Sequence, residues 1–192
     1  MITNPDRFWT LLKPLYSQAE AFARYMAPRN WEDVLQESLL KALQALDSLN
    51  DEASFKFWLF RIIANETKRG ARREFWKRFL PMELEHGETR ELASDPDPAL
   101  RLDLQHLKTA ILRQPSVRRE TLLLYHVAGL SVAEIADLRK ESQGAIKSRL
   151  SRCRQELRVA LDGGTSLSVI RGKTVKELDH DIEQCIQQAR AD

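Results

Sequence analysis

The side chains best suited to binding nucleic acid lie in a segment near the carboxyl end, where cationic and small polar residues share one helical face. Apolar residues recur in this segment at the spacing of one stripe along a long helix, namely Ile146, Leu150, Cys153, Leu157 and Leu161. The opposite face would present Ser148, Ser151, Arg152 and Gln155, flanked by Lys147 and Arg158. Such a helix suits insertion into a DNA major groove, where these groups reach base edges and phosphates. An ordinary surface helix with a solvated basic face is the alternative.

A shorter helix is predicted just before this segment, from Ser131 to about Leu138, with Ile135 and Ala136 bracing the longer one. Two helices in this order, the second one basic, are typical of a DNA-binding helix-turn-helix. Within positions 139–158 only Glu141 and Glu156 oppose the basic residues Arg139, Lys140, Lys147, Arg149, Arg152, Arg154 and Arg158. The whole chain has a net charge of only +2, so the positive charge is segregated into a footprint for phosphate.

Length and composition exclude several classes of protein. The chain has 192 residues, of which 43% are hydrophobic, enough for the cores of two small domains. Cys153 and Cys185 lie too far apart for a disulfide framework, and the cysteines and histidines show no metal-ligand spacing. The amino terminus has no apolar run of signal-peptide or membrane-span length. We therefore predict a cytoplasmic protein with no metal, no cofactor and no membrane contact of its own.

Helical periodicity dominates the sequence and strand alternation is absent, which predicts an all-α protein. The predicted helices are 8–26 with a break near Pro14, Trp31 to Leu49, Ser54 to Trp76 with Ser54 as its cap, 100–113, 116–128 and the helix-turn-helix. They form two small domains, 1–78 and 100–162, of which the second is a four-helix domain containing the helix-turn-helix. The acidic, proline-marked residues 79–99 are predicted to be a flexible linker.

Residues 163–192 form a carboxy-terminal extension with one predicted helix, from Thr174 to Arg190. Thr174 is followed three residues later by Glu177, the pattern of a capping box. The apolar face of this helix comprises Val175, Leu178, Ile182, Cys185, Ile186 and Ala189. Since a helix of this length is marginal alone in water, we expect it to dock as a structural cap or as a brake on binding. A disordered end is the alternative.

The helix from Trp31 carries an exposed leucine on its outer face. Leu35, Leu39, Ala42, Leu43 and Leu46 form its inward stripe. The outer face places Leu40 among Asp33, Glu37 and Gln44, a pattern that favours a protein-docking patch. A solvated face with one stray apolar residue fits the same pattern, since single exposed leucines are common.

The next helix aligns cations and an amide at i, i+4, i+7 and i+11, namely Arg61, Asn65, Lys68 and Arg72, with Phe57 and Trp58 at the head of the stripe. Phe55, Leu59 and Ile62 face inward. Aromatic rings beside cations are what single-stranded nucleic acid requires, because unstacked bases lie on the rings while the backbone follows the charge. The alternative is that Phe57 or Trp58 belongs to the core.

Taken together, these motifs resemble those of bacterial RNA polymerase sigma factors of the extracytoplasmic-function (ECF) type, in the sigma-70 family. The segment from Glu32 to Ala42 is similar to the acidic helix of region 2 that binds the polymerase clamp. The segment from Phe55 to Asn65 is similar to the part that opens the duplex and reads the minus-ten element. Residues 129–152 resemble region 4, which reads the minus-thirty-five element. The resemblance covers most of residues 6–161.

This resemblance implies core RNA polymerase, promoter DNA and an anti-sigma factor, often membrane-anchored, as partners, and it implies no catalytic residue. The polymerase-binding residues would be Asp33, Gln36, Glu37, Leu40 and Gln44. The minus-ten residues would be Phe57, Trp58, Arg61, Asn65, Lys68, Arg69 and Arg72. The minus-thirty-five residues would be Ser142, Gln143, Lys147, Ser148, Arg149, Ser151 and Arg152.

The turn of the helix-turn-helix departs from the family pattern. The family usually places an apolar residue, a glycine and another apolar residue there, whereas this chain has Arg139, Lys140 and Glu141. The change removes a glycine suited to left-handed backbone and two core contacts. We therefore expect a looser or reshaped turn.

Two other functions fit parts of the sequence. A DNA-binding regulator that works without polymerase explains the carboxy-terminal helices but leaves the Leu40 patch and the aromatic stripe without a role. A metal nuclease would use Asp33 and Glu37, which lie one turn apart, yet no histidine or third carboxylate shares that face.

Overall fold

The computed structural model describes the backbone of residues 5–77 and 98–162, and the side chains of residues 5–72 and 106–159. These ranges contain helices and turns and no strand, so the predicted all-α class is confirmed for them. The chain divides into two compact units between residues 91 and 92. The predicted linker, apart from its last two residues, and the predicted carboxy-terminal helix lie outside the described residues.

Among residues 5–77, the first unit contains α1 (Pro5–Leu12), α2 (Tyr16–Met26), α3 (Trp31–Gln44) and α4 (Phe55–Lys77). The break predicted near Pro14 is confirmed, because a 3-10 turn, Lys13–Leu15, separates α1 from α2. The third helix is shorter than predicted: it ends at Gln44, and a 3-10 turn, Leu46–Ser48, follows it.

Aromatic side chains form much of the core of the first unit. The Phe8 and Phe55 ring centroids are 6.0 Å apart, and those of Phe22 and Phe60 are 5.6 Å apart, both in edge-to-face arrangements. The inward stripe of α4 therefore fixes this helix against α1 and α2, which leaves its other face in solvent.

The predicted cap of α4 is wrong. A 3-10 turn, Glu52–Ser54, precedes the helix, and its cap is Asp51, whose Oδ1 accepts a hydrogen bond from the Ala53 amide at 3.0 Å. Ser54 donates its hydroxyl to the other Asp51 oxygen at 3.3 Å. Asp51 therefore caps the 3-10 turn that precedes α4, and the Ser54 hydroxyl donates to this carboxylate instead of capping the helix.

Within the described residues, the second unit contains α5 (Pro98–Arg113), α6 (Ser116–His126), α7 (Val132–Arg139) and α8 (Gln143–Asp162). Because α5 begins at Pro98, the linker predicted to end at residue 99 is two residues too long. The α8 helix packs against α5, α6 and α7, and Ile146, Leu150, Cys153 and Leu157 are buried as its predicted stripe requires. The helix is thus held on one side, and its other side is free to bind.

Candidate nucleic-acid and protein interfaces

The outward face of α8 is exposed along its first three turns. Ser148, Ser151 and Arg152 lie in solvent together with Gln143 and Lys147. Ser142 precedes the helix, and its hydroxyl accepts a hydrogen bond from the Ala145 amide at 3.2 Å. Cations and hydroxyls therefore stand on the surface of a helix whose opposite side is fixed in the core, the geometry that major-groove readout needs.

Arg149, another of the predicted minus-thirty-five residues, does not lie in solvent with these side chains. Its side chain is only 19% exposed, and Nη2 donates to Oε2 of Glu141 at 2.5 Å. Nη1 also lies 3.4 Å from the Thr121 hydroxyl on α6. The guanidinium points toward the turn and α6 because Glu141 and Thr121 accept hydrogen bonds from it there. Without these acceptors, its partly buried charge would have no partner.

The turn between α7 and α8 is ordered by its backbone. The α7 helix begins with a capping box, in which the Ser131 hydroxyl accepts from the Glu134 amide and the Glu134 carboxylate accepts from the Ser131 amide. It ends with Lys140 in the left-handed conformation, at φ 55° and ψ 46°. The Lys140 amide donates to the Asp137 carbonyl at 3.1 Å, and the Glu141 amide to the Ala136 carbonyl at 3.0 Å. The turn is therefore hydrogen-bonded, with a lysine in a position that favours glycine.

Replacing Lys140 by Gly should raise the free energy of unfolding by up to about 1 kcal/mol, because a left-handed lysine is strained and glycine is not. Lys140 is exposed, so the change costs no packing. Gly129→Ala is the matched control, since Gly129 has φ 60° and alanine there should be destabilising. Thermal unfolding of the three proteins measures both effects; a Lys140→Gly protein that melts below the native one contradicts the assignment of strain.

A cationic stripe, defined here as Arg61, Asn65, Lys68 and Arg72, runs along the exposed face of α4. The Arg61 guanidinium lies 5.7 Å from the centroid of the half-buried Phe57 ring at the head of the stripe. The predicted place of Trp58 on this face is wrong: Trp58 is 9% exposed, and its ring packs 5.8 Å from Phe55 in the core.

Arg69, another of the predicted minus-ten residues, lies outside the stripe, on the side of α4 that faces α3. Its Nη1 lies 3.3 Å from Oε1 of Glu66, one turn earlier on the same helix. Helical spacing explains this position, because Arg69 lies one residue past Lys68 and is therefore rotated about 100° toward the α3 side.

The α3–α4 groove, of about 520 Å³, lies between these two helices. Its lining includes the predicted docking residues Asp33, Gln36, Glu37 and Leu40. Leu40 is 51% exposed at its edge, whereas Gln44 is exposed farther along α3 and does not line it. An exposed apolar side chain beside carboxylates and amides is the composition of a protein interface with an apolar centre and a polar rim.

Lys41 and Glu66 form the charged floor of the groove. Lys41 Nζ lies 2.6 Å from Oε2 of Glu66 and 3.1 Å from Oε1 of Glu37, so it bridges the two helices. The bond to Glu66 raises the pKa of Lys41 above its ordinary 10.5. Burial raises the pKa of Glu66, but the hydrogen bonds from Lys41 and Arg69 lower it by more, so it lies below the ordinary 4.5. The floor is therefore ionised at neutral pH and fixes the spacing of α3 and α4.

Among the residues that the structure describes, no group of three or more histidine, cysteine, aspartate or glutamate side chains is arranged to hold a metal ion. No helix within those residues is long and apolar enough to span a membrane. Cys153 is a buried free thiol, and burial raises its pKa to about 11, so it is protonated and unreactive.

Comparison with known proteins matches both units. Residues 11–77 match the family model of sigma-70 region 2, and residues 104–157 match that of sigma-70 region 4. The ECF RNA polymerase sigma factor EcfG of Rhodopseudomonas palustris is 31% identical over 131 residues, which cover 68% of this chain and 70% of that protein. The chain belongs to the ECF type of the sigma-70 family. It is therefore a sigma factor for promoter-specific transcription initiation.

Other relatives agree. The ECF RNA polymerase sigma-E factor of Escherichia coli is 28% identical over 148 residues, covering 72% of this chain and 78% of that protein. The Bartonella quintana sigma factor RpoE, solved in complex with the anti-sigma factor NepR, aligns with a TM-score of 0.66 and 27% identity, covering 83% of this chain and 96% of that one. CnrH, solved with the cytosolic domain of CnrY, aligns with a TM-score of 0.58 and 26% identity, covering 84% and 92%.

In this sigma factor, region 2 thus carries the α3–α4 groove and the cationic stripe, and region 4 carries the exposed face of α8. Sequence patterns did not indicate the ion pairs that support these surfaces. Lys41 and Glu66 are 25 residues apart on different helices, and Glu120 and Arg139 are 19 apart, so no helical period relates them. The signal in the sequence was a carboxylate on the buried face of a helix, at Glu66 and at Glu120.

Proposed function

We propose that the α3–α4 groove is the surface through which region 2 binds core RNA polymerase. Leu40 would be its apolar centre, with Asp33, Gln36 and Glu37 as the polar rim. The exposure of Leu40 beside these side chains supports the assignment, because apolar anchors within a polar rim dominate the energy of protein interfaces. The ion-paired Glu37 disfavours the alternative of a metal nuclease, since Lys41 already neutralises one of the two carboxylates it would need.

The cationic stripe of α4 would hold the minus-ten element as separated strand. Phe57 offers a ring on which a base stacks, Arg61 and Lys68 follow the backbone, and Asn65 reads a base edge. Opening of the duplex would be driven by binding, because a base extruded from the stack regains its unstacking cost, a few kcal/mol, in the site that receives it. This mechanism requires no covalent chemistry.

The exposed face of α8 would read the minus-thirty-five element as duplex. The assignment rests on the presence of two different exposed surfaces. Cations and hydroxyls face solvent on α8, and a cationic stripe headed by an aromatic ring faces solvent on α4. A regulator that binds duplex DNA alone would need only the first of these surfaces.

We also propose an anti-sigma factor as a regulatory partner, because the solved relatives RpoE and CnrH are complexes with NepR and with the cytosolic domain of CnrY. Such a partner would cover the polymerase-binding or DNA-binding faces. The protein would act in the cytoplasm, where polymerase and promoter DNA are found.

Replacing Arg152 by Ala should cost about 1–3 kcal/mol of discrimination at the upstream element if its guanidinium reads a base edge. The measurement compares the affinity of the holoenzyme for promoters with matched and substituted upstream elements. Arg154→Ala is the control on the same helix, because Arg154 lies 5.5 Å over the Tyr125 ring instead of facing outward. Equal discrimination by the native and Arg152→Ala proteins would remove Arg152 from the reading face.

A further inference from the structure

Four charged side chains form a continuous ion-pair network beneath the turn of region 4. Arg139 at the end of α7 donates from Nη1 to Oε2 of Glu120 on α6 at 2.6 Å, and from Nε to Oε1 of Glu141 in the turn at 2.9 Å. Glu141 then accepts from Arg149 on α8 at 2.5 Å. The network therefore ties three helices and the turn together.

Burial makes this network energetically different from a surface salt bridge. The Glu120 side chain is 2% exposed and that of Arg139 is 11% exposed, while Arg149 and Glu141 are 19% and 25% exposed. Two cations face two carboxylates, so the charges balance. Removing one member of such a set leaves its partly buried charges unbalanced, which is destabilising, whereas removing a matched pair of opposite charges is often neutral.

The network occupies the position at which the chain departs from its family. Arg139 and Glu141 stand where apolar residues are usual on either side of a glycine, and the structure joins them to each other and to Arg149. Hydrogen-bonded charge therefore occupies both of these positions, and the hydrogen bonds from Arg149 and Arg139 lower the pKa of Glu141.

We propose that Arg149 is a positioning residue, which sets the angle and register of α8 through Glu141 and the Arg139–Glu120 pair and does not itself contact DNA. This inference rests on the proposed role of α8 as the helix that reads the minus-thirty-five element. Arg149 therefore affects promoter binding only indirectly. Replacing Arg149 should weaken promoter binding, and a compensating replacement of Glu141 should restore it.

The test compares Arg149→Met, Glu141→Met and the double variant in the full chain. Each single change should lower the melting temperature by about 4 °C or more, the shift that a loss of 1 kcal/mol produces in a domain of this size. Each should also weaken holoenzyme binding to a DNA duplex enriched from a random pool by the native holoenzyme. The double variant retains the balanced Glu120–Arg139 pair and should regain both properties. Lys147→Met, on the exposed face of the same helix, should weaken binding without lowering the melting temperature.

Each outcome is decisive. If Arg149→Met weakens binding without lowering the melting temperature, and Glu141→Met does not restore it, Arg149 contacts DNA and the inference is overturned. A double variant less stable than either single variant overturns the compensation on which the inference depends. Failure of the native holoenzyme to enrich any duplex instead overturns the proposed function, and the melting temperatures still report whether the network exists.

Discussion

Replacing Leu40 by Asp should weaken binding to core RNA polymerase by about 2 kcal/mol or more, roughly thirtyfold, while region 2 stays folded. Leu40 is 51% exposed, so a carboxylate at this position remains hydrated in the free protein. In the complex the same carboxylate would be buried at the centre of the interface without a partner, which carries a large desolvation cost. Titration of labelled sigma factor with core polymerase measures the loss.

Val159→Asp provides the matched control for this change. Val159 is 63% exposed on α8, so the same substitution is made at an exposed apolar residue that does not line the groove. The control should bind polymerase as the native protein does. Native affinity in Leu40→Asp, with unchanged melting temperatures in both variants, would show that polymerase docks elsewhere.

Replacing Phe57 by Ala should impair promoter opening while duplex binding by region 4 is retained. Stacking of a base on an aromatic ring contributes about 1–3 kcal/mol, so loss of the ring should lower the open fraction tenfold or more where opening is marginal. Asn65→Ala should act in the same direction, because its amide would no longer hold a base edge. Permanganate reactivity of unpaired thymines reports the open fraction, and a duplex-binding assay reports the closed complex.

Tyr16→Ala is the control for the loss of an aromatic ring. Tyr16 is 37% exposed on α2, and its ring lies 6.5 Å from that of Trp9, outside the cationic stripe. This variant should open promoters normally. Normal opening by Phe57→Ala and Asn65→Ala together would place the single-strand site on another part of region 2.

Periodicity predicted the helices and most of their buried faces, because apolar spacing is a direct consequence of helix geometry. Leu39, Leu43 and Ile62 were predicted to face inward but are only half-buried. The buried stripe of α8 and the exposed stripe of α4 follow from the periodicity. Trp58 shows where it fails: its angular position on α4 is near the cationic stripe, yet the ring is buried because it packs on Phe55. A large aromatic side chain reaches the core from the edge of a helix face, and spacing alone does not detect this.

Arg149 and Ser54 illustrate a second limit. The direction of a charged side chain depends on its partners, and those of Arg149 lie on α6 and in the turn. Ser54 has the right residue type for a cap, but Asp51 precedes it with a stronger acceptor and a 3-10 turn intervenes. Tertiary contacts, which a one-dimensional pattern lacks, decide the direction of Arg149, whereas the position of Ser54 is decided by local hydrogen bonds to Asp51.

The turn between α7 and α8 was predicted to be looser or reshaped. The glycine is indeed missing, yet the chain keeps the left-handed backbone by placing Lys140 there and replaces the apolar contacts by charge. The departure from the family pattern was visible in the sequence. Its compensation was not, because Glu120 and Arg149 are separated from the turn along the chain.

The proposal that the two DNA-binding surfaces contact different promoter elements is tested most directly by photocrosslinking within an initiating complex. A crosslinking residue is placed at position 152 on α8 or at position 65 on α4, and the crosslinked bases are mapped on a promoter bound by the reconstituted holoenzyme. We expect position 152 to crosslink to the upstream duplex element and position 65 to crosslink to the melted downstream strand. Crosslinks from both positions to the same element, or the reverse assignment, would contradict the proposal that α8 reads duplex DNA and α4 holds the separated strand.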